Sequence, residues 1–182
     1  WKPTENSFVG VSVGSKSNTW AIDAIGHVYR QIKENVWERD VDSERYCCVC
    51  VGADGVLWAV DKDGYLWRRE ELEWALISES PLKMIAAGNA QNVWGIALNG
   101  QVYQYNSQIG WKAVSGILLS HISVGANGAV WGVDRFMDVY RLGVDNRFVS
   151  TGGKLRKVHI SAEGYIWGVG CDGSIWRRKA DD

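Results

Sequence analysis

The sequence predicts an all-β protein, a five-bladed β-propeller of four-stranded antiparallel blades, and three observations carry that prediction. The first is a phrase written five times. It reads T-W-A-I-D-A-I-G-H-V-Y-R at Trp20, L-W-A-V-D-K-D-G-Y-L-W-R at Trp58, V-W-G-I-A-L-N-G-Q-V-Y-Q at Trp94, V-W-G-V-D-R-F-M-D-V-Y-R at Trp131 and I-W-G-V-G-C-D-G-S-I-W-R at Trp167. These anchors stand 36 to 38 residues apart, the signature of one supersecondary unit copied in tandem. The second observation is a further aromatic nine residues after each anchor, at Tyr29, Trp67, Tyr103, Tyr140 and Trp176, across a short polar turn. That spacing is a hairpin. The third is circular bookkeeping. A third aromatic follows at Trp37, Trp74, Trp111 and Phe148, and the fifth is supplied by Trp1, which precedes Trp20 by 19 residues as Phe148 precedes Trp167. The Trp1 segment is therefore expected to complete the last blade and close the ring, since radial repetition leaves few exposed edges.

Each blade is expected to begin with an innermost strand of alternating apolar residues: Val11 and Val13, Val49 and Val51, Ile85 and Ala87, Ile122 and Val124, Val158 and Ile160. The hairpin that follows is read with a four-residue turn, Asp61 to Gly64, which sets Val60 against Tyr65, Trp58 against Trp67 and Ala59 against Leu66. A small residue follows every anchor (Ala21, Ala59, Gly95, Gly132, Gly168) and is read as a slot for a large side chain of the neighbouring copy. The third copy replaces the turn aspartate with Ala97 and the arginine with Gln104. The fourth puts Met137 where Gly26, Gly64, Gly100 and Gly173 stand, which implies either a different turn or a Phe136–Met137 pair exposed for contact. The tryptophans occupy repeat positions and are expected in the core.

Composition narrows the function. A single domain, residues 1–182, accommodates all five repeats, with 21 glycines for turns and 2 prolines. A net charge of -1 offers no basic stripe, which argues against nucleic acid. No apolar run approaches the roughly 20 residues of a membrane span, so no membrane insertion is expected. No signal peptide and no N-x-S/T acceptor is present, which leaves secreted and cytoplasmic residence both open. Cys47, Cys48, Cys50 and Cys171 are expected to be mostly free, buried thiols, with one disulfide as the alternative. Asp61-Lys62-Asp63-Gly64 begins like a calcium loop, but its twelfth position is Leu72 rather than glutamate, so neither metal nor cofactor is expected. The mixed charges Glu38, Arg39, Asp40, Asp42, Glu44 and Arg45 read as a solvated rim. His27, His121 and His159 occupy unrelated positions, no nucleophile motif is present, and no enzyme activity is expected.

The pattern V-x-V-G-x-x-G-x-V-W-G-V-D-x-x-G-x-V-Y-R, seen from Ile122 to Arg141 and in four looser copies, resembles the tectonin repeat. The resemblance implies a propeller lectin that binds surface glycans, including bacterial lipopolysaccharide or methylated sugars, in several similar pockets that together provide avidity in defence or cell recognition. Some members of that family act inside the cell, so the alternative is a protein-interaction propeller without sugar binding. Ser161, where the other copies carry glycine, and the altered turns of the third and fourth copies bring equal binding by all five into question.

The candidate carbohydrate-binding residues come from blade geometry. The first turn and the end of the third strand open on one side, which groups Asp54, Asn127 and Glu163, with Asn18 and Asn92 nearby, beside Arg30, Arg68, Arg141 and Arg177. A carboxylate or amide beside a guanidinium suits hydroxyls, which both donate and accept, and an anionic group on the sugar. Ordinary turn chemistry with surface ion pairs is the alternative. On the opposite side Asp23, Asp61, Asp134 and Asp172 are expected to hold turns.

Overall fold

The structure is a computed structural model that describes residues 7–15, 17–40, 45–71, 73–161 and 163–179. Among the described residues nineteen strands form five antiparallel sheets, the blades of an all-β, five-bladed propeller fold, and the chain divides into two compact units, Trp1–Ile85 and Ala86–Asp182. The first unit holds two sheets. One is β1 (Gly10–Ser15), β2 (Asn18–Ile22), β3 (Val28–Lys33) and β4 (Val36–Arg39), and the other is β5 (Tyr46–Val51), β6 (Leu57–Asp61), β7 (Leu66–Glu70) and β8 (Glu73–Ser78).

A third sheet is built from β9 (Leu82–Asn89), which runs across the boundary, β10 (Asn92–Ala97), β11 (Gln101–Asn106) and β12 (Gly110–Leu118). The second unit continues with β13 (His121–Val124), β14 (Val130–Val133), β15 (Asp138–Leu142) and β16 (Phe148–Lys154). Last come β17 (Lys157–Ile160), β18 (Tyr165–Val169) and β19 (Ile175–Lys179), three strands among the described residues. The closing strand expected at Trp1 lies outside the described residues.

The hairpin register differs from the expected one by a residue. Trp58 pairs with Arg68 and Ala59 with Trp67, and the same holds for Trp20 with Arg30 and Ala21 with Tyr29. The cause is the turn aspartate. Asp61 Oδ1 accepts the backbone N–H groups of Asp63 and Tyr65, Asp61 N–H reaches Tyr65 O at 3.1 Å, and Gly64 takes the left-handed conformation (φ 90°). Asp61 and Tyr65 thus close the loop as a pair, leaving three residues between them.

The small residue after each anchor is consequently the partner of the second aromatic: Ala21 of Tyr29, Gly95 of Tyr103, Gly132 of Tyr140, Gly168 of Trp176. Its slot is filled from its own copy, not the neighbouring one. A Cβ on Gly132 would sit 2.4 Å from Leu119 Cδ1, and one on Gly168 2.4 Å from Leu155 Cδ1, both on the segment leading into that same sheet. The lead-in residue is tethered to the preceding sheet, since Tyr46, Leu82, Leu119 and Leu155 donate their N–H to Gly26, Gly64, Gly100 and Met137 O. In the first two sheets it is aromatic and stacks on the second and third aromatics: Phe8 with Tyr29 at 5.2 Å and Trp37 at 4.7 Å, Tyr46 with Trp67 at 6.2 Å and Trp74 at 4.5 Å.

Within each unit the core lies between consecutive sheets. Trp131, Val133 and Val139 of the fourth sheet pack on Val158, Ile160 and Ile166 of the fifth, and Ser123 Oγ accepts the N–H of Ile160 across the gap at 3.0 Å. In the first unit Ser12 Oγ accepts from Val51 in the same way, at 2.9 Å. Trp58, Trp94 and Trp131 are buried as expected, but Trp167 is 40% and Trp176 61% exposed, and Val11 and Val13 face solvent.

Candidate functional site

The anchor tryptophan and the arginine one strand away form the repeated element of the site. Because they face each other across the hairpin, the guanidinium lies over the indole: Arg30 at 5.8 Å from the Trp20 ring centre, Arg68 at 5.7 Å from Trp58, Arg177 at 5.5 Å from Trp167. The element is not uniform. Over Trp131 it is Arg178 of the following sheet that stacks, at 5.4 Å, while Arg141 faces Trp131 across the ladder. Trp94 faces Gln104 and meets Phe148 edge-on at 6.2 Å.

One open example is a cleft of about 490 Å³ between the first and second sheets, lined by Asn18, Trp20, Arg30, Glu38, Asp40 and Arg69 among others. Trp20 Nε1 donates to Asn18 Oδ1 at 2.7 Å, and Asn18 Nδ2 reaches Gly55 O on the next sheet at 3.4 Å, so one amide fixes the indole and tethers the two sheets. Asn92 holds Trp94 through the same bond at 2.7 Å. Arg30 pairs in register with Glu38 across β3 and β4.

Among the residues lining the cleft Asp40 is buried. It accepts two parallel bonds from Arg69, at 2.8 Å each, and a third from Trp74 Nε1 at 3.2 Å. Asp40 N–H also bonds Val28 O, which docks the residue on the sheet edge. The reading of this stretch as a solvated rim therefore fails at Asp40. A buried carboxylate is tolerated only where several donors replace water, as here.

Of the other sequence candidates, several act on their own turns. Asp54 Oδ1 accepts Val56 N–H at 3.2 Å and Asn127 Oδ1 accepts Ala129 N–H at 3.1 Å. Glu163 bonds its own backbone and Ser161, which holds its carboxyl below the usual range. Arg68 is engaged by Glu70, two residues along the same strand. Among the eight candidates, Arg30 lines this cleft and Arg177 lines another of about 490 Å³ beside Trp131 and Trp176. Glu38, Asp40, Arg69 and Glu71 were not foreseen, although the doublets Arg68-Arg69 and Arg177-Arg178 in the second and fifth copies signalled a second guanidinium.

The turn aspartates clamp as well as cap. Asp61 Oδ2 accepts from Trp67 Nε1 at 2.7 Å, Asp134 Oδ2 from Tyr140 Oη at 3.3 Å, and Asp23 Oδ2 from Tyr29 Oη at 3.2 Å. Burial pushes the Asp23 carboxyl up, but bonds from His27, Gly26 and Ile25 outweigh it and bring the pKa to about 2. Asp172 does not belong to this set. Gly170 stands at the equivalent position, and Asp172 instead accepts from Ser174, which takes the Trp176 Nε1 bond at 2.7 Å.

Chemically reactive groups are muted. All four cysteines are free thiols. Burial raises Cys48 to about 12, while Cys47 and Cys171 are exposed, contrary to the expectation of burial. His121 is pushed down to about 4, by burial first and then by the charges of Lys157 and His159. Among the described residues no three His, Cys, Asp or Glu side chains are grouped to hold a metal ion.

Fold and site together define a tandem-repeat β-propeller with aromatic and charged clefts between consecutive sheets. The pattern that defines the tectonin domain matches residues 7–110 and again 81–182, so the chain belongs to the tectonin family. It is 36% identical to Tectonin-1 of Physarum polycephalum over 69 residues, 37% of this chain and 31% of that protein. Among solved structures, YCF48 bound to D1 peptide superposes with a TM-score of 0.66 at 16% identity, covering 99% of this chain and 65% of that one. A structure named as a candidate gluconolactonase superposes with a TM-score of 0.65 at 15% identity, covering 91% and 74%. At these identities the likeness concerns the fold alone.

Proposed function

We propose that this tectonin propeller is a carbohydrate-binding protein that engages glycans in clefts between consecutive sheets. The observation that carries the reading is the cleft at Trp20. An indole fixed by Asn18, a guanidinium over it and the carboxylates of Glu38 and Glu71 supply a stacking surface for a pyranose and both kinds of partner for its hydroxyls. Its volume of about 490 Å³ suits one or two sugar rings. Recurrence of the tryptophan–arginine pair at the partly exposed Trp167 supports more than one site per chain, and several weak sites yield avidity on a glycan-coated surface such as lipopolysaccharide. We read the chain as a binding protein, not an enzyme.

The test is a glycan array that includes lipopolysaccharide and methylated sugars, followed by calorimetric titration of any hit. Binding with a stoichiometry above one, weakened when Trp20→Ala or Arg30→Ala removes one site, is the expected result. Failure to bind any glycan removes the reading. A protein-interaction role is the second reading, favoured by the exposed Phe136.

A further inference from the structure

The hairpin turns of the third and fourth sheets end in large apolar side chains that the glycan reading does not use. Leu98 is 78% and Phe136 58% exposed at the tips of the β10–β11 and β14–β15 turns, and Leu118, 55% exposed, lies beside the first of these, paired with Gln101. Two consecutive residues show that the turns share one edge of the second unit: Leu119 N–H bonds Gly100 O in the first turn, and Ser120 Oγ bonds Asp134 O at the start of the second. Cations accompany the apolar tips. Arg135 lies 4.6 Å from the Phe136 ring centre, and Lys154 donates to Phe136 O at 3.1 Å while pairing with Asp138. The fourth turn keeps its shape with Met137 at φ 69°, a conformation in which the other copies use glycine, so the aromatic tip is held on a constrained loop.

We propose that this edge docks on an anionic phospholipid surface, with Leu98, Leu118 and Phe136 seated among the headgroups and Arg135 facing lipid phosphate. Separate convex tips with flanking cations fit an interface into which each side chain can sink, whereas the hot spots of a protein partner fill pockets and need a surrounding seal. The contact is at headgroup depth and does not span the bilayer.

Co-sedimentation of the full chain with phosphatidylcholine vesicles, with and without phosphatidylserine, tests the proposal. Binding is expected to require phosphatidylserine and to weaken with salt. Combined Leu98→Asp and Phe136→Asp should lower the partition coefficient at least about tenfold, and Arg135→Glu should lower it several-fold, with the folded circular dichroism spectrum unchanged. No vesicle-bound protein, or binding that neither variant changes, would overturn it. So would a dimer in the absence of vesicles that both variants dissolve, because a second copy would then be the occupant. The vesicles carry no sugar, so this outcome and that of the glycan array are independent.

Discussion

Arg69 grips Asp40 through two parallel hydrogen bonds of 2.8 Å between the second and first sheets, with side chains 12% and 5% exposed. The pair joins residues 29 apart in sequence and lines the candidate glycan cleft. Removing one partner strands the other charge out of water. Asp40→Ala is therefore expected to cost about 3 kcal/mol, and Asp40→Ala with Arg69→Met markedly less than either single change would suggest. Urea denaturation of the three variants checks this, and additive losses would count against a coupled pair.

The turn aspartate supplies the next prediction. In the third copy its place is taken by Ala97, and Asn99 Oδ1 accepts the Gln101 N–H at 3.0 Å instead. Ala97→Asp should restore the bonds seen at Asp61 and raise stability by up to about 1 kcal/mol. Asp61→Ala should lose about 1 to 3 kcal/mol, since it uncaps the loop and strands the Trp67 Nε1 donor. Thermal melts of both variants give the signs directly.

Met137 is a non-glycine at φ 69°, and its carbonyl accepts from Leu155. Met137→Gly is expected to gain up to about 1 kcal/mol by relieving backbone strain, reduced by the greater freedom of glycine in the unfolded chain. A loss of stability would mean that contacts of the Met137 side chain, such as that with Cys171 Sγ at 3.0 Å, outweigh the strain.

Acid should act on the fourth and fifth sheets first. His121 is half-buried, and that enclosure pushes it down to about 4, well below its ordinary value of 6.5. Above pH 6.5 it is neutral in both states; between 6.5 and 4 the unfolded chain takes up a proton that the folded chain refuses, so stability falls across that window. The loss is on the order of 2 kcal/mol after allowance for residual exposure, and His121→Gln should flatten this limb of a melting-temperature profile. Asp23, held at about 2, contributes stability above 3.8 that disappears only as pH falls through its folded value, so the two limbs separate on the pH axis.

The period, the number of sheets, the strand order and the aromatic positions were all legible in the sequence, because each is a local pattern repeated in register. The glycine-containing turns were legible for the same reason. The pairing of each anchor tryptophan was not, although it shifted by only one residue: whether Asp61 lies inside its turn or closes it depends on side-chain bonds to Asp63 and Tyr65 that spacing alone does not encode. That shift replaced an aromatic pair with the tryptophan–arginine pair on which the proposed site depends.

By itself, then, the sequence determined the class of fold and the type of side chain at each repeat position. Tertiary structure alone decided that Asp40 is buried and that Asn18 bridges two sheets, and it separated a half-open Trp20 from a sealed Trp58. Periodicity reports what each copy contributes to its own sheet. Burial and pairing between sheets depend on the residues that neighbouring copies place opposite, and there the five copies differ.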